Sequence, residues 1–438
     1  MNEKAHSAAW RWAGVATVAT GAAMLPRHAF AAANDVSSGN VAWVISASAL
    51  VLFMTLPGLA LFYGGLVRAK NMLSVLMHCF AVCCVVSLLW AAIGYSLAFA
   101  PGGPLLGGVS RAFLAGLQPV LRDSGLPEGL VVLFQMTFAI ITPALIIGAF
   151  PERISFPFLL LFVTGWLFLV YIPAAHWVWG HGWLAGIGTI DFAGGIVVHT
   201  TAGISALVMA MIAGPRRGFP ESLMPPHSPG LTMAGAGMLW VGWFGFNGGS
   251  ALAANGSAVM AILATHLAAC AAALTWMGIE WVRLGKPTSV GLVTGCVAGL
   301  ATITPASGYV GPMGAIAIAI VGSFVCFQMT AFIKQRLGID DTLDVFAVHG
   351  VGGVLGSVLV AIFAAPQLGG VGYALGMNLP RQLGAQIVGV AAVALWSAIA
   401  TWGLATLLKR IVPLRVAPDD EEDGLDLSAH GERAYEHG

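Results

Sequence analysis

Long apolar segments dominate this sequence and point to a lipid bilayer as its solvent. Eleven such segments lie near residues 41–67, 72–99, 128–150, 156–173, 191–213, 230–250, 254–278, 288–304, 312–333, 343–364 and 381–408. A helix needs about 20 mainly apolar residues to cross the hydrocarbon core of a membrane. Only 9% of the 438 residues are charged, against roughly a quarter in a soluble domain. The sequence therefore predicts an all-α membrane protein with eleven transmembrane helices within residues 34–410.

The first 33 residues have the features of a secretory signal. Lys4 and Arg11 precede an apolar stretch over residues 12–25, and residues 29–31 (AFA) form a small-residue cleavage pattern. The alternative is a twelfth, short membrane helix, but this apolar stretch is too short to span a bilayer comfortably. We predict that residues 1–33 form a cleaved signal peptide.

Basic residues between the predicted helices are distributed unevenly. Every second boundary is basic, with Arg68, Lys70, Arg153, Arg216, Arg217, Arg283, Lys286, Lys334, Arg336, Lys409 and Arg410. The opposite boundaries hold only Arg111, Arg122 and Arg381. Because basic loops stay on the cytoplasmic side, the mature N-terminus is predicted outside and a tail over residues 411–438 in the cytoplasm.

Short motifs recur between the two halves of the sequence. Residues 139–144 (AIITPA) resemble 301–306 (ATITPA), and residues 62–65 (FYGG) resemble 246–249 (FNGG). Asp191 precedes His199 as Asp344 precedes His349. These matches pair each helix with the fifth one after it. Since five is odd, they predict two inverted five-helix repeats, with an eleventh helix outside them and a solute path at their interface.

Two intramembrane histidines occupy matched places in these repeats. At about 1.5 Å per residue, His199 lies roughly 12 Å deep from the outer side and His349 roughly 9 Å from the inner side. Glycines at 195, 203, 353 and 356 share their helix faces, so both should face other helices. We predict a hydrogen-bonded pair lining a pore. The alternative is two independently satisfied interior histidines, and His78 and His266 are interpreted as structural.

Acidic residues flank both histidine-bearing segments. Asp191 can cap the fifth helix, and its charge can also favour cations at an outer vestibule. Asp340, Asp341 and Asp344 at the inner end are interpreted as helix caps and loop residues. A metal site needs three or four convergent ligands, whereas Asp191 and His349 are predicted a leaflet apart. The six cysteines are interpreted as small core residues, and the net charge of +0 excludes a broad basic surface for nucleic acid.

Aromatic residues cluster near the predicted outer mouth. Three tryptophans are predicted in the outer loop before Asp191: Trp177, Trp179 and Trp183. Four more aromatic residues lie within the third and sixth helices: Phe134, Phe138, Trp243 and Phe246. Aromatic faces can bind a small cation, and stacked rings can form a dry constriction. Spacing alone does not separate either role from core packing.

At these residues the sequence resembles the ammonium transporter family (Amt/Mep/Rh), on its bacterial Amt branch. Its most specific matches are residues 191–199 (DFAGGIVVH) and 340–353 (DDTLDVFAVHGVGG). Further matches are residues 134–138, 243–250 and 302–306, with 414–416, 424–426 and 430–435 in the tail. The resemblance covers residue 41 to the end. Gly248, where alanine is frequent, is a mild departure.

The resemblance implies an ammonium transporter of the bacterial inner membrane, a homotrimer with one pore per subunit, and neither an enzyme nor a cofactor-dependent protein. By motif, the outer site for ammonium, or its analogue methylammonium, would comprise Trp179, Phe138 and Ser250, stabilised by Asp191. Phe138 and Phe246 would form a stacked gate. The pore would be lined by Trp243, His199 and His349, with Thr304 as a vestibule residue. A PII-type signal protein would dock on the cytoplasmic face.

The chemistry of the solute fits this resemblance. Ammonium and potassium have similar charge and size, but only ammonium can lose a proton. A dry lumen penalises a desolvated ion and passes neutral ammonia cheaply. The sequence leaves two alternatives open. One is a sensor that signals through its tail, and the other is an Rh-type gas channel, against which Trp179 and the Amt-like tail argue.

Overall fold

The structure is a computed structural model that describes residues 36–121, 124–222 and 224–435. The predicted signal peptide lies outside these residues. Within them, nine helices are long and apolar enough to cross a membrane. They are α1 (Ser38–Leu66), α2 (Ala69–Phe99), α3 (Glu128–Ala149), α4 (Phe156–Gly186), α5 (Gly195–Ala213), α7 (Gly256–Leu284), α9 (Pro312–Arg336), α10 (Phe346–Phe363) and α11 (Leu379–Leu408). The prediction of an all-helical, multi-pass membrane protein is confirmed.

Two further helices occupy the sixth and eighth predicted positions. Helix α6 (Pro229–Trp243) and helix α8 (Ser289–Ile303) are equally long, and α6 continues into a π-helical turn over Phe244–Gly248. Neither is among the nine long apolar helices. The count of eleven transmembrane helices therefore stays a prediction at these two positions. Two short helices, α12 (Pro418–Asp423) and α13 (Leu425–His430), lie in the tail.

Polar side chains define where several helices begin. The hydroxyl of Ser228 accepts from Leu231 N just before Pro229 opens α6. The Thr288 hydroxyl accepts from Gly291 N at the start of α8, and Asn378 accepts from Arg381 N at the start of α11. These caps satisfy backbone N–H groups that a helix leaves without partners at its first turn.

Three of the seven π-helical turns in the described residues hold side chains predicted to line the path. His199 lies in the π turn Gly195–Thr200 that opens α5, and His349 lies in the π turn Phe346–Gly350 that opens α10. Phe246 lies in the π turn at the end of α6. Such turns are rare and often mark functional positions, because the extra residue re-aims the side chains around it.

Helices α5 and α10 cross at glycines. A Cβ atom on Gly203 would overlap the backbone of Gly350, and a Cβ on Gly353 would overlap the side chain of His199. Only residues without a side chain allow backbones to approach this closely. The predicted glycine faces therefore do pack against other helices, and they bring the two histidine-bearing helices together.

A buried ion network joins the loops at one end of the bundle. Glu152 pairs with Arg68 at 2.8 Å and Arg216 at 3.5 Å, while Arg216 also pairs with Asp340 at 2.9 Å. Burial alone would raise the pKa of Asp340, but the hydrogen bonds and charge of Arg216 outweigh it and lower that pKa. The network fixes the loop that leads into α10.

The tail packs on the same end of the molecule. The Asp426 carboxylate accepts from the backbone N–H groups of Leu73 at 3.0 Å and Ser74 at 2.7 Å, at the start of α2. Arg415 pairs with Glu421 at 2.6 Å and also donates to the main chain at the end of α5. Residues 414–435 are therefore an ordered extension of the bundle.

The outer tryptophans differ from the prediction. Trp177 lies within α4, where its helical part Ile172–Val178 ends, and Trp183 opens the last turn of α4. Only Trp179 lies in the break between these two parts. The predicted fourth helix ended at residue 173, but the apolar segment continues far enough for tertiary packing to extend it.

Candidate functional site

The two predicted pore histidines contact each other at the crossing of α5 and α10. Their Nδ1 atoms are 3.3 Å apart, and their rings lie 5.2 Å apart and nearly parallel. Both side chains are buried. A bond between two neutral imidazoles requires one ring to donate and the other to accept. Among the described residues, Nε2 of His199 has no hydrogen-bond partner. The ring of His199 therefore depends on His349 for its hydrogen bond, which argues against two independently satisfied histidines.

Aromatic rings surround the histidine pair. The ring of Trp243 stacks on His199 at 5.5 Å, and Phe246 lies 6.2 Å from the same imidazole. The Trp243 indole donates to the Thr304 hydroxyl at 2.8 Å, and that hydroxyl donates to Leu300 O at 2.7 Å. Thr304 therefore holds Trp243 in place, a contact that the sequence did not reveal.

Phe138 and Phe246 stack directly. Their ring centres are 4.2 Å apart with an interplanar angle of 22°, and both side chains are buried. The ring of Trp179 meets Phe138 edge-on at 5.8 Å. A continuous series of rings thus runs from Trp179 through Phe138 and Phe246 to His199.

Ser250 is tied to the same aromatic group through the backbone. Its hydroxyl donates to Phe246 O at 2.8 Å, at the end of the α6 π turn. Because the hydroxyl proton is used in this bond, the oxygen lone pairs remain to accept from an N–H donor. Ser250 is partly exposed, which keeps it accessible to a solute.

Asp191 caps α5 with its full carboxylate. One oxygen accepts from Gly194 N at 2.9 Å and Gly195 N at 2.7 Å, and the other from Ile196 N at 2.8 Å and Val197 N at 3.0 Å. The backbone oxygen of Asp191 accepts from the Trp179 indole at 2.9 Å. The capping interpretation is therefore satisfied in full, and one residue positions both α5 and Trp179.

The counterpart of Asp191 in the second half is Asp341, and the pairing with Asp344 was wrong. Asp341 accepts from Val345 N at 3.1 Å and Phe346 N at 2.8 Å, which caps α10. Asp344 instead pairs with Lys334 at 2.8 Å. The signal in the sequence was spacing, because Asp341 precedes His349 by the same eight residues that separate Asp191 from His199. Burial, and then the nearby Asp344 charge, raise the pKa of Asp341 to about 7.

Two cavities meet the histidine pair. A narrow one is lined by apolar side chains together with Trp243, Phe246, His199 and His349, and leaves about 10 Å³ to water-sized molecules, roughly the space of one water. A wide one of about 630 Å³ opens at the end of the bundle that carries the ion network, and reaches His349 between Arg216 and Lys334. His349 stands at the boundary between a tight apolar lumen and an open polar vestibule.

The remaining intramembrane histidines lie elsewhere. His78 is buried against Ser74 and Phe156 and faces His430 of the tail, while His266 lies on the outer surface of the bundle beside Trp240. Among residues 36–121, 124–222 and 224–435, no three His, Cys, Asp or Glu side chains are grouped to hold a metal ion.

Comparison with known proteins agrees with this geometry. The profile of the Ammonium Transporter Family matches residues 42–435. An ammonium transporter of Aquifex aeolicus (strain VF5) is 48% identical over 93% of this chain and 96% of its own length. An ammonium transporter of Bacillus subtilis (strain 168) is 43% identical over 89% of this chain and 96% of its own.

Solved structures give the same result for the fold. A Sensor Amt Protein superposes with a TM-score of 0.84 at 32% identity, covering 90% of this chain and 98% of that one. Mep2 of Saccharomyces cerevisiae superposes with a TM-score of 0.80 at 36% identity, covering 88% and 91%. Members of this family are transport proteins and not enzymes. By its sequence and its fold, the chain belongs to the ammonium transporter family.

Proposed function

We propose that this protein carries ammonium across the membrane by binding the cation, removing its proton and conducting ammonia past the histidine pair. The observation that carries this proposal is the contact between His199 and His349 at the end of a tight apolar cavity. An ion stripped of water is costly in such a lumen, whereas a small neutral molecule is not. The similar proteins of Aquifex aeolicus and Bacillus subtilis are ammonium transporters, which agrees with this substrate.

The outer site in this proposal is built from Trp179, Phe138, Ser250 and Asp191. The two aromatic faces attract the cation, and the Ser250 oxygen accepts one of its N–H bonds. Asp191 contributes mainly through its backbone oxygen, which accepts from the Trp179 indole and holds that ring in place. The stacked rings of Phe138 and Phe246 form a gate that must part for the solute to pass.

The histidine pair then handles the neutral substrate and its proton. Each neutral imidazole has one donor and one acceptor, so two in contact form a relay. Ammonia passes along the pair to the inner vestibule beyond His349. Potassium has no proton to give up, so it would have to enter the dry lumen as an ion and bear the full free-energy cost of desolvation. This difference accounts for selectivity for ammonium over potassium.

The finer architecture belongs to the same proposal. We propose eleven transmembrane helices arranged as two inverted five-helix repeats and an eleventh helix, with one pore per subunit of a homotrimer. The matched π turns and caps of α5 and α10 support the repeat. His266 supports the oligomer, because it lies ten residues into α7, about 15 Å along it, yet is exposed on the bundle surface. An ionisable side chain at that depth normally faces protein.

The proposed orientation places the ion network and the tail in the cytoplasm of a bacterial cell, with the mature N-terminus in the periplasm. It is supported by the concentration of basic residues at that end, where Arg68, Arg153 and Arg216 surround Glu152 and Asp340. Basic loops resist translocation. In this orientation the protein lies in the bacterial inner membrane.

A role as an ammonium sensor is the second candidate. The observation that favours it is the ordered tail, whose Asp426 accepts a hydrogen bond from the start of α2. This contact would pass a conformational change in the bundle on to the tail at the protein surface. An Rh-type gas channel is disfavoured because Trp179 packs on Phe138 where a cation would bind.

The deciding experiment is uptake of methylammonium in a bacterial strain that lacks its own ammonium carriers. Expression of the full chain should produce saturable uptake that ammonium inhibits and potassium does not. A sensor without transport activity would leave uptake at the level of the empty vector.

Replacing Trp179 with leucine should weaken binding at the outer site. Loss of a cation–π contact is expected to raise the half-saturating concentration about 3- to 30-fold. The control is Trp177→Leu, since Trp177 packs against Trp183 and Trp396 instead. That variant should keep the parental half-saturating concentration, and an unchanged concentration dependence in Trp179→Leu would count against the outer site.

Removal of the tail should impair regulation and leave transport intact. We propose that a PII-type signal protein docks on the cytoplasmic face and uses residues 411–438 to close the pore. A chain that ends at Lys409 loses the contacts of Glu421 and Asp426 with the bundle. It should assemble and take up methylammonium, while ammonium shock should no longer reduce its uptake. Cleavage of the tail by protease in right-side-out vesicles would contradict the orientation.

A further inference from the structure

Helix α11 carries two buried glutamines near its start. Gln382 is 2% exposed and Gln386 is fully buried. A buried amide is costly unless its hydrogen bonds are made, and α11 lies outside the proposed repeat that forms the pore. The partners of these two amides therefore indicate what the helix does for the site.

Gln386 uses its whole hydrogen-bonding capacity. Its Oε1 accepts from Ile190 N at 2.8 Å and from Gln382 Nε2 at 3.2 Å. Its Nε2 donates to Ile190 O at 2.8 Å and to Ser357 O at 2.7 Å. Two donors and two acceptor positions are all that an amide offers. One side chain thus joins α11, the segment before α5, and α10, on which Ser357 follows His349.

The segment before α5 needs such partners. Residues 187–194 are not helical and several of them are buried, and buried backbone polar groups outside a helix need other hydrogen-bond partners. Gln382 Nε2 donates to Gly188 O at 2.9 Å, and the Thr189 hydroxyl donates to Ala385 O at 3.0 Å. Together with Gln386, α11 provides the surface on which this segment is held.

The position of Ile190 is transmitted directly to the proposed site. Ile190 is followed by Asp191, whose backbone oxygen holds the Trp179 indole and whose carboxylate caps α5. A displacement of Ile190 moves both of these contacts. Gln386 makes no hydrogen bond to Trp179, Phe138, Phe246 or the two histidines. Its effect on transport must therefore pass through Ile190 or through Ser357 of α10.

We propose that Gln386 is a positioning residue for transport. It holds Ile190, so that the neighbouring Asp191 keeps both the Trp179 indole and the start of α5 in position relative to α10. This inference rests on the proposed ammonium transport. A displacement of about 1 Å at a site can cost up to about 100-fold in function. We expect Gln386→Leu to raise the half-saturating concentration for methylammonium about tenfold, a change that loss of stability alone does not produce.

The experiment compares three variants in the strain without ammonium carriers. Gln386→Leu removes every bond of the amide. Gln386→Glu keeps the length and the acceptor for Ile190 N. It loses both donors to Ile190 O and Ser357 O when ionised, and one of the two when protonated. Thr401→Val is the matched control. Thr401 is also buried on α11, and its hydroxyl donates to the Ser205 hydroxyl of α5 at 2.8 Å, but it lies about four turns along α11 from Gln386. Uptake is measured against methylammonium concentration, and melting temperature is measured on purified protein.

Both Gln386 variants are expected to raise the half-saturating concentration, while Thr401→Val lowers only the melting temperature. If Gln386→Leu does not reach the membrane, the half-saturating concentration of Gln386→Glu tests the proposal instead. Parental half-saturation in either Gln386 variant, or failure of both variants to accumulate, overturns the positioning role. Failure of the parental chain to transport methylammonium would instead contradict the proposed function.

Discussion

Asp191→Ala is expected to reduce methylammonium uptake by at least about 100-fold. The substitution leaves four backbone N–H groups at the start of α5 without their acceptor. Each buried N–H that loses its partner costs about 1–3 kcal/mol, and 1.4 kcal/mol corresponds to a factor of ten. The first turn of α5 carries His199 and must rearrange to satisfy these groups, which moves the imidazole away from His349. The measurement is the initial uptake rate, normalised to the amount of protein in the membrane.

Two further variants separate charge from geometry. Asp191→Asn keeps one acceptor oxygen, which can serve part of the turn, but presents an NH2 group to the other donors. It should show an intermediate loss of uptake. Asp341→Ala removes a cap of only two bonds at the start of α10 and should cost less than Asp191→Ala. Parental uptake by Asp191→Ala at parental expression would show that the cap does not position the path.

Much of the fold follows from local pattern. Apolar length predicted every long helix, because the bilayer imposes the same requirement on each segment. The matched depth of His199 and His349, with glycines on the same faces, predicted that the two helices pack together. These features depend on periodicity and solvent, both of which can be read from the chain.

The remaining features depend on tertiary contacts. The eight-residue spacing between Asp341 and His349 signalled the capping role of Asp341, but residue type alone also allowed Asp344. Only the fold shows which carboxylate meets the start of α10. The Thr304 hydroxyl contacts Trp243 of a different helix, so no local spacing indicates that bond. Gln386 lies on a helix outside the proposed repeat, and its partners lie in segments that only folding brings together. The sequence therefore did not identify it.

His199→Asp is expected to retain part of the ammonium transport and to lose selectivity against potassium. A carboxylate can still accept and release a proton, so a relay with His349 persists. It also puts a negative charge in the apolar lumen, which offsets the cost of a desolvated cation. Potassium flux should therefore rise from background to a level comparable with ammonium flux. The control is His78→Asn, because His78 is buried beside the tail and does not face the path.

Substitution of the pair by alanine tests the relay itself. His349→Ala should lower substrate flux by about 100-fold, which is within the usual contribution of a positioned acid or base. It should leave binding at Trp179 and Phe138 unchanged, because the ring of Trp179 meets Phe138, which in turn stacks on Phe246 and not on His349. Displacement of bound methylammonium from purified protein measures that binding independently of flux.

The most direct measurement is ammonium and potassium flux through purified parental protein, His199→Ala and His349→Ala in the same proteoliposomes. The proposed mechanism predicts fast ammonium flux without potassium flux for the parental protein, and much slower ammonium flux for each alanine variant. Parental ammonium rates in both variants, with potassium still excluded, would show that the 3.3 Å contact between the histidines is structural and that transport does not depend on it.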